Sequence, residues 1–195
     1  MKLLICSDLH GSRNAAKIVT YLMEKYDFDK LILLGDLLYN GPRNYVEKDY
    51  DPSFVYKELN KFTDKIIACK GNCESDVDLM VLNFKMPIFN SFKNDKYLFY
   101  LNHGHINEIK LESNIDKNEV LMSGHTHVPL FRHSKNGGII LNPGSMTFPK
   151  GSIDKSFMIM DDNDLYLIEF DYDENDNYFV KNKYKFSDGD KIFER

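Results

Sequence analysis

Three short apolar runs in the first third of the chain alternate with two segments of helical periodicity, and this alternation strongly constrains the fold. The runs at residues 3–6, 31–34 and 66–69 have the length and composition of buried strands. Apolar residues recur at helical spacing between Ala15 and Tyr26, and Asp51-Pro52 is a typical helix start. This order predicts a parallel sheet whose strands are joined by crossover helices.

The second half of the chain predicts further strands with short connections. They fall at residues 97–101, 120–122, 128–131, 139–141, 157–160, 165–170 and 178–180, and Gly137-Gly138 is a hairpin signal. No repeat or low-complexity linker divides the 195 residues. We therefore predict one domain over residues 1–195, in which two packed sheets are flanked by helices. The charged last ten or so residues are expected to fray.

Charge and cysteine content exclude several classes of protein. The net charge of −5 argues against a broad basic face for duplex nucleic acid. The three cysteines form no CxxC pair, which argues against a disulfide framework or a structural zinc site. Apolar stretches fall short of the ~20 residues that span a bilayer, and the run after Met1-Lys2 is too short for a signal peptide. We expect a cytoplasmic protein without membrane association. A homo-oligomer is compatible with a β-rich domain of this size.

Polar side chains follow five of the predicted strands, at the point where each strand ends. They are Asp8, His10, Asp36, Asn72, His103, His105, His125 and His127. Ligands of open α/β sheets bind outside the carboxyl ends of the strands, so we expect these side chains to converge. Of the six histidines, only His133 lies elsewhere, which makes a structural role for the whole set a poor explanation.

The residue types of this set are those of a metal site. Carboxylates, an amide and several imidazoles suit divalent Mn, Fe, Co, Ni or Zn. The set is too large for one ion and suits two ions that share a carboxylate, roughly 3.5–4 Å apart. The sequence therefore predicts two divalent transition-metal ions.

These residues also lie in motifs of a known family. Asp8-Leu9-His10, Gly35-Asp36, Gly71-Asn72, His103-Gly104-His105 and Gly124-His125-Thr126-His127 resemble the five blocks of the calcineurin-like metallophosphoesterases. Residues 41–44, 71–78 and 142–145 are similar to the YfcE-type bacterial phosphodiesterases within that family. The resemblance covers residues 1 to about 160. It implies an α/β fold of the metallo-dependent phosphatase type, a four-layer α/β/β/α sandwich of two mixed sheets flanked by helices.

The resemblance further implies the ligands and the reaction. The first ion takes Asp8, His10 and His127, the second takes Asn72, His103 and His125, and Asp36 bridges them. Manganese is expected, with Ni, Co, Fe or Zn as alternatives. The expected reaction is hydrolysis of a small phosphodiester by in-line attack of a metal-bridging hydroxide. A phosphomonoesterase is the nearest alternative, and a noncatalytic protein-binding scaffold on the same fold is another.

Cys73 departs from many members of the family, in which histidine follows the Gly-Asn pair. Asp36, Asn72, Cys73 and His105 are the expected catalytic residues. Nearby cations would lower the pKa of Cys73, and a thiolate cannot protonate a leaving group, so His105 is the nearest alternative donor. Cys73 is otherwise a small residue that fits a small space. Arg43 is either a phosphate clamp or a surface residue.

Overall fold

Two mixed β-sheets form the frame of the molecule in the computed structural model, which describes residues 1–106, 114–162 and 164–186. The elements are β1 (Lys2–Cys6), α1 (Arg13–Lys25), β2 (Lys30–Leu33), α2 (Pro52–Leu59), a 3₁₀ turn (Asn60–Lys65), β3 (Ile66–Ala68), α3 (Asp76–Val81), β4 (Phe89–Lys93), β5 (Leu98–Asn102), β6 (Glu119–Met122), β7 (Leu130–His133), β8 (Ile139–Asn142), β9 (Lys155–Asp161), β10 (Asp164–Tyr172) and β11 (Tyr178–Phe186). The tail expected to fray begins at residue 187, outside the described residues.

The six-stranded sheet has the order β11-β10-β9-β1-β2-β3. Strands β1, β2 and β3 run parallel, with Leu4 opposite Leu31, and β9 joins β1 from the other side as an antiparallel neighbour. The five-stranded sheet has the order β4-β5-β6-β8-β7, in which β5, β6 and β8 are parallel and the edge strands are antiparallel. In each sheet, therefore, the carboxyl ends of three parallel strands lie along the same edge.

Alternation along β1 explains how the layers pack. Leu3 and Ile5 point between the two sheets, where they join a cluster with residues of β5, β6 and β8. Leu4 and Cys6 point to the opposite face, where α1 and α2 cover them. Because both faces of β1 are buried, the strand reads as an unbroken apolar run rather than an alternating one.

Side-chain caps begin both longer helices. Ser12 caps α1 by accepting a hydrogen bond from the N–H of Ala15, and Asp51 caps α2 in the same way at Phe54. The predicted helix start at Asp51-Pro52 is therefore confirmed. The predicted fold class, two packed mixed sheets flanked by helices, is also confirmed. None of the described helices is long and apolar enough to cross a membrane.

Two elements were not predicted, α3 and β4. Helix α3 has only six residues, none of them buried, so it shows no apolar stripe. A capping box between Ser75 and Asp78 starts it. Strand β4 is an edge strand without a fully buried residue, and its polar composition hides it. Both elements lack the burial that makes a sequence pattern visible.

Candidate metal centre

The turns that follow the parallel strands meet at one edge of the molecule, and backbone hydrogen bonds join them. The N–H of Asp8 donates to the carbonyl of Gly35 at 3.1 Å, and the N–H of His10 donates to that of Asp36 at 2.9 Å. In the other sheet, the N–H of Gly124 donates to the carbonyl of His103 at 3.0 Å. These backbone bonds help to hold the loops in register.

Several of the predicted ligands adopt left-handed backbone conformations. Their φ angles are 56° for Asp8, 47° for His10, 53° for Asp36, 65° for His125 and 59° for His127. Positive φ is uncommon for residues other than glycine, and such strain persists at functional sites because the surroundings enforce it. The sharp turns let successive ligands point into the same space.

One group of donor atoms involves Asp8, His10 and His127. Asp8 Oδ1 lies 3.1 Å from His127 Nε2 and 3.7 Å from His10 Nε2. The two Nε2 atoms are 3.3 Å apart. All three residues are buried, and their donor atoms lie within 4.8 Å of one another. The geometry fits the set assigned to the first ion.

A second group adjoins the first and includes Asp36, Asn72 and His103. His103 Nε2 lies 3.2 Å from Asp36 Oδ2 and 3.2 Å from Asn72 Oδ1. Asp36 Oδ2 is also 3.8 Å from His10 Nε2 in the first group. Asp36 Oδ2 therefore lies between the two groups of donors.

The three buried imidazoles, those of His10, His103 and His127, are each oriented through the outer ring nitrogen. Each Nδ1 donates a hydrogen bond to a backbone carbonyl. When the ring is neutral, Nε2 then carries no proton, and its lone pair faces the centre. The acceptors are the carbonyl oxygens of Tyr39, Leu34 and Phe148, at 2.9, 2.6 and 2.6 Å. This arrangement presents the rings as metal ligands.

The carboxylate of Asp8 tests whether this cluster fits a cation. Its Oδ2 accepts hydrogen bonds from Ser7 Oγ at 2.5 Å and from the N–H of His125 at 3.1 Å. Its Oδ1 is buried and, within the described residues, has no hydrogen-bond partner. A buried anionic oxygen without a donor is costly unless a cation compensates it. The donor set and the orphaned oxygen together fit a divalent metal ion.

In the metal-free protein, a proton on His103 supplies positive charge beside these carboxylates, since its Nε2 lies 3.2 Å from Asp36 Oδ2 and 4.0 Å from Asp8 Oδ1. Burial lowers the pKa of His103, but the hydrogen bond with Asp36 and the charges of Asp8 and Asp36 outweigh burial and raise the pKa to about 9. Burial raises the pKa of Asp36, but the hydrogen bond and charge of His103 outweigh it and lower the pKa. Each partner therefore favours the charged form of the other.

His125 and His105 lie farther out. The ring centroid of His125 is 5.2 Å from that of His103, and the ring of His105 is 5.5 Å from His103 and 6.1 Å from His125. Burial and the charge of His103 lower the pKa of both rings. His125 is half-buried at the rim of the second group, and His105 is exposed to solvent as a neutral imidazole.

Cys73 lies beside the centre, where its backbone and its side chain each form a hydrogen bond with a predicted ligand. Its N–H donates to Asp36 Oδ1 at 2.8 Å, and its Sγ accepts from Asn72 Nδ2 at 3.3 Å. Burial, together with the charge of Asp36, raises the pKa of the thiol. The protein's own groups thus act against the lowering expected from nearby cations, and favour the thiol over the thiolate.

A cavity of about 750 Å³ opens over the centre, and its outer wall contains two cations. Arg43 and Lys150 are exposed there, and in the described chain neither side chain forms an ion pair or hydrogen bond. The N–H of Lys150 donates to the carbonyl of His127 at 3.0 Å. The ring of Tyr39 is 45% exposed on the same wall. Sequence reasoning missed Lys150 and Tyr39, since only the fold brings them to the cavity.

Two buried polar residues that were not singled out in the sequence support the ligand loops. Ser145 Oγ donates to the carbonyl of Asp8 at 3.0 Å and accepts from the N–H of Phe148 at 2.9 Å. The carboxylate of Glu74 accepts from backbone N–H groups on the far side of the centre. Burial and the charge of Asp36 raise the pKa of Glu74. The motifs around these residues were visible, but their contacts were not.

Comparison with known proteins identifies the class. Residues 1–164 match the model of the calcineurin-like phosphoesterase superfamily domain, and the chain belongs to that superfamily. It is 38% identical over 172 residues to the phosphodiesterase YfcE of Escherichia coli strain K12, a match that covers 86% of this chain and 91% of that protein. The resemblance to YfcE-type proteins in the sequence motifs is therefore confirmed.

Solved structures agree with this class. The structure of the YfcE phosphoesterase from E. coli matches with a TM-score of 0.82 and 33% identity, over 94% of this chain and 98% of that one. An archaeal phosphodiesterase matches with a TM-score of 0.64 and 21% identity, covering 95% and 100% of the two chains. Vps29 of Chaetomium thermophilum matches with a TM-score of 0.64 and 16% identity, covering 96% and 98%. The last two show a shared fold.

Proposed function

We propose that this protein is a phosphodiesterase that uses two divalent transition-metal ions, with manganese the expected metal, to hydrolyse a small phosphodiester. The observation that carries the proposal is the position of Asp36 Oδ2, which lies 3.2 Å from His103 Nε2 and 3.8 Å from His10 Nε2, between two groups of donors. Similarity to the phosphodiesterase YfcE supports the reaction. The free cysteines support the reducing cytoplasm as its location.

The residues divide into two ligand sets that share one carboxylate. Asp8, His10 and His127 would hold the first ion; Asn72, His103 and His125 would hold the second; and Asp36 would contact both. When bound, such a pair supplies a hydroxide nucleophile near neutral pH and offsets negative charge on the phosphoryl group. The hydrogen bonds from Nδ1 keep the three buried imidazoles aimed at the centre.

The cavity wall supports a diester of modest size as the substrate. Arg43 and Lys150 offer cationic donors to phosphate oxygens or to other anionic groups of the ligand. The exposed ring of Tyr39 offers a flat apolar face. Because the whole protein carries a charge of −5, these local cations would help the metal ions to attract an anionic ligand.

The groups that face the leaving alcohol favour good leaving groups. His105 is exposed and has a lowered pKa, so little of it is protonated at neutral pH. Burial and the charge of Asp36 raise the pKa of Cys73, and a thiol is in any case a weak acid. Without a strong general acid, departure of a poorly stabilised alkoxide is slow. This supports a phosphodiester with an acidic leaving alcohol over an alkyl ester.

The test compares chromogenic nitrophenyl monoester and diester substrates. Metal-stripped protein would be assayed before and after addition of Mn, Ni, Co, Mg or Zn. We expect metal-restored diester cleavage in the native protein and in the control Asp78→Asn, which removes a partly exposed carboxylate outside the centre. Asp36→Ala should abolish it. Faster cleavage of the monoester would favour a phosphomonoesterase, and folded protein with no turnover under any metal would favour a protein-binding scaffold.

A further inference from the structure

We propose that Glu74 is a positioning residue that sets the distance between Asp36 and Asn72 and thereby tunes the affinity for the second ion. This inference rests on the proposed two-metal site. Glu74 contributes no atom to either group of donors; it acts through the backbone on both sides of the bridging carboxylate.

The two carboxylate oxygens of Glu74 bind two different loops. Oε1 accepts a hydrogen bond from the N–H of Leu37 at 2.5 Å, directly after Asp36. Oε2 accepts from the N–H of Gly71 at 2.6 Å, directly before Asn72. The residue is 5% exposed, so water does not replace either contact. One rigid carboxylate therefore joins the loop after β2 to the loop after β3.

The two loops that Glu74 joins lie in close contact, so they have little room to move relative to each other. An added Cβ on Gly71 would lie 2.5 Å from the backbone nitrogen of Asp36. The N–H of Cys73 donates to Asp36 Oδ1 at 2.8 Å. Asn72 lies between these two attachment points, so its position relative to Asp36 depends on the bond from Gly71 to Glu74 and on the bond from Cys73 to Asp36. Buried N–H groups need acceptors, and Glu74 supplies one for each loop.

The ligands that belong to the first ion alone are supported by other residues. Ser145 Oγ bonds the carbonyl of Asp8, and the carbonyl of Phe148 orients His127. His10 is oriented by the carbonyl of Tyr39. None of these contacts involves Glu74. Its loss should therefore act unequally on the two ions, which a general loss of stability would not do.

The test is a titration of metal-stripped protein with Mn²⁺, in which the free ion is measured by electron paramagnetic resonance. Asn72→Ala and His10→Ala assign the two binding steps, because each removes a ligand of one ion only. Glu74→Gln keeps the shape but turns an amide N–H towards a backbone N–H. We expect it to weaken the step that depends on Asn72 by about 10- to 100-fold, and the step that depends on His10 by less than about threefold.

Asp78→Asn is the matched control. Asp78 also accepts a backbone N–H bond in this segment, from Ser75, but it does so in the capping box of α3, outside the centre. It should lower the melting temperature of the metal-free protein without changing either Mn²⁺ step. If Glu74→Gln fails to give a native circular dichroism spectrum, Glu74→Asp, which is too short to reach both N–H groups, is measured instead.

The outcomes separate this inference from the proposed function. Equal weakening of both steps, or a lower melting temperature with unchanged affinities, would overturn the role of Glu74 and leave the two-metal site intact. A single binding step in the native protein would overturn the two-metal site. In that case the positioning role holds only if the single step is lost in Asn72→Ala and weakened in Glu74→Gln; otherwise it fails too.

Discussion

Replacement of Gly71 by alanine tests how tightly the centre is assembled. A Cβ at this position would lie 2.1 Å from Asp36 Oδ1, 2.5 Å from the Asp36 nitrogen and 2.8 Å from Glu74 Oε2. Ordinary contact begins near 3.4 Å, so the carboxylate of Asp36 or the Gly71 backbone must move by at least about 1 Å. Neither is free to do so, since Asp36 is held by the N–H of Cys73.

The expected magnitude follows from that displacement. Misplacement of a reacting group by about 1 Å costs on the order of 100-fold in rate. Because Asp36 contacts both groups of donors, we expect kcat/KM for a chromogenic diester with saturating Mn²⁺ to fall at least about 100-fold in Gly71→Ala. Circular dichroism and the melting temperature would show whether the fold survives.

Gly137→Ala is the matched control at a remote glycine. Its Cβ would meet only Lys117 Cβ at 3.9 Å, but its φ of 85° makes alanine strained. We expect it to lose about 1–2 kcal/mol of stability with unchanged kcat/KM. Folded Gly71→Ala that keeps more than about a third of the native kcat/KM would refute the claim that the two loops leave no room for movement.

Three further perturbations concern acid–base chemistry and the cavity wall. Cys73→His should raise the rate on diesters with poor leaving alcohols, measured as a shallower dependence of kcat on leaving-group pKa; an unchanged slope would contradict the proton-donor argument. Because His103 has a pKa of about 9 in the metal-free protein, it must lose a proton to bind an ion. Mn²⁺ affinity should therefore rise about tenfold per pH unit from pH 7 and level off above pH 9, and a flat profile would contradict this. Arg43→Gln and Lys150→Gln should each raise KM several-fold with little change in kcat, and equal losses of kcat would instead indicate damage to the centre.

The strands that precede the ligands could be predicted from the sequence, because the burial of each strand is visible in its own residues. Residues of β1 and β2 are buried on both faces, so they appear as short apolar runs. The ligands then follow at strand ends, and parallel strands bring their carboxyl ends to one edge. Topology alone thus predicted that Asp8, Asp36 and His103 would lie close together.

The supporting contacts were not readable, because they depend on distances between loops. Glu74 and Leu37 are separated by 37 positions, and nothing near Glu74 in the sequence indicates that its carboxylate is buried. Lys150 likewise reaches the cavity because its backbone bonds the carbonyl of His127. The periodicity of apolar residues predicts which face of one helix or strand is buried. It does not predict contacts between loops, which form only when the two sheets pack together.

The left-handed turns hold the carboxylates of Asp8 and Asp36 close together beside His103. Asp8, Asp36 and His127 hold unfavourable backbone angles, and bonds such as that from the Asp8 N–H to the Gly35 carbonyl fix the turns without metal. The fold therefore keeps two carboxylates facing each other across a small space, a repulsion that the proton on His103 relieves. An ion bound at His103 would take the place of that proton, and the turns that carry the ligands are held by hydrogen bonds of the chain itself.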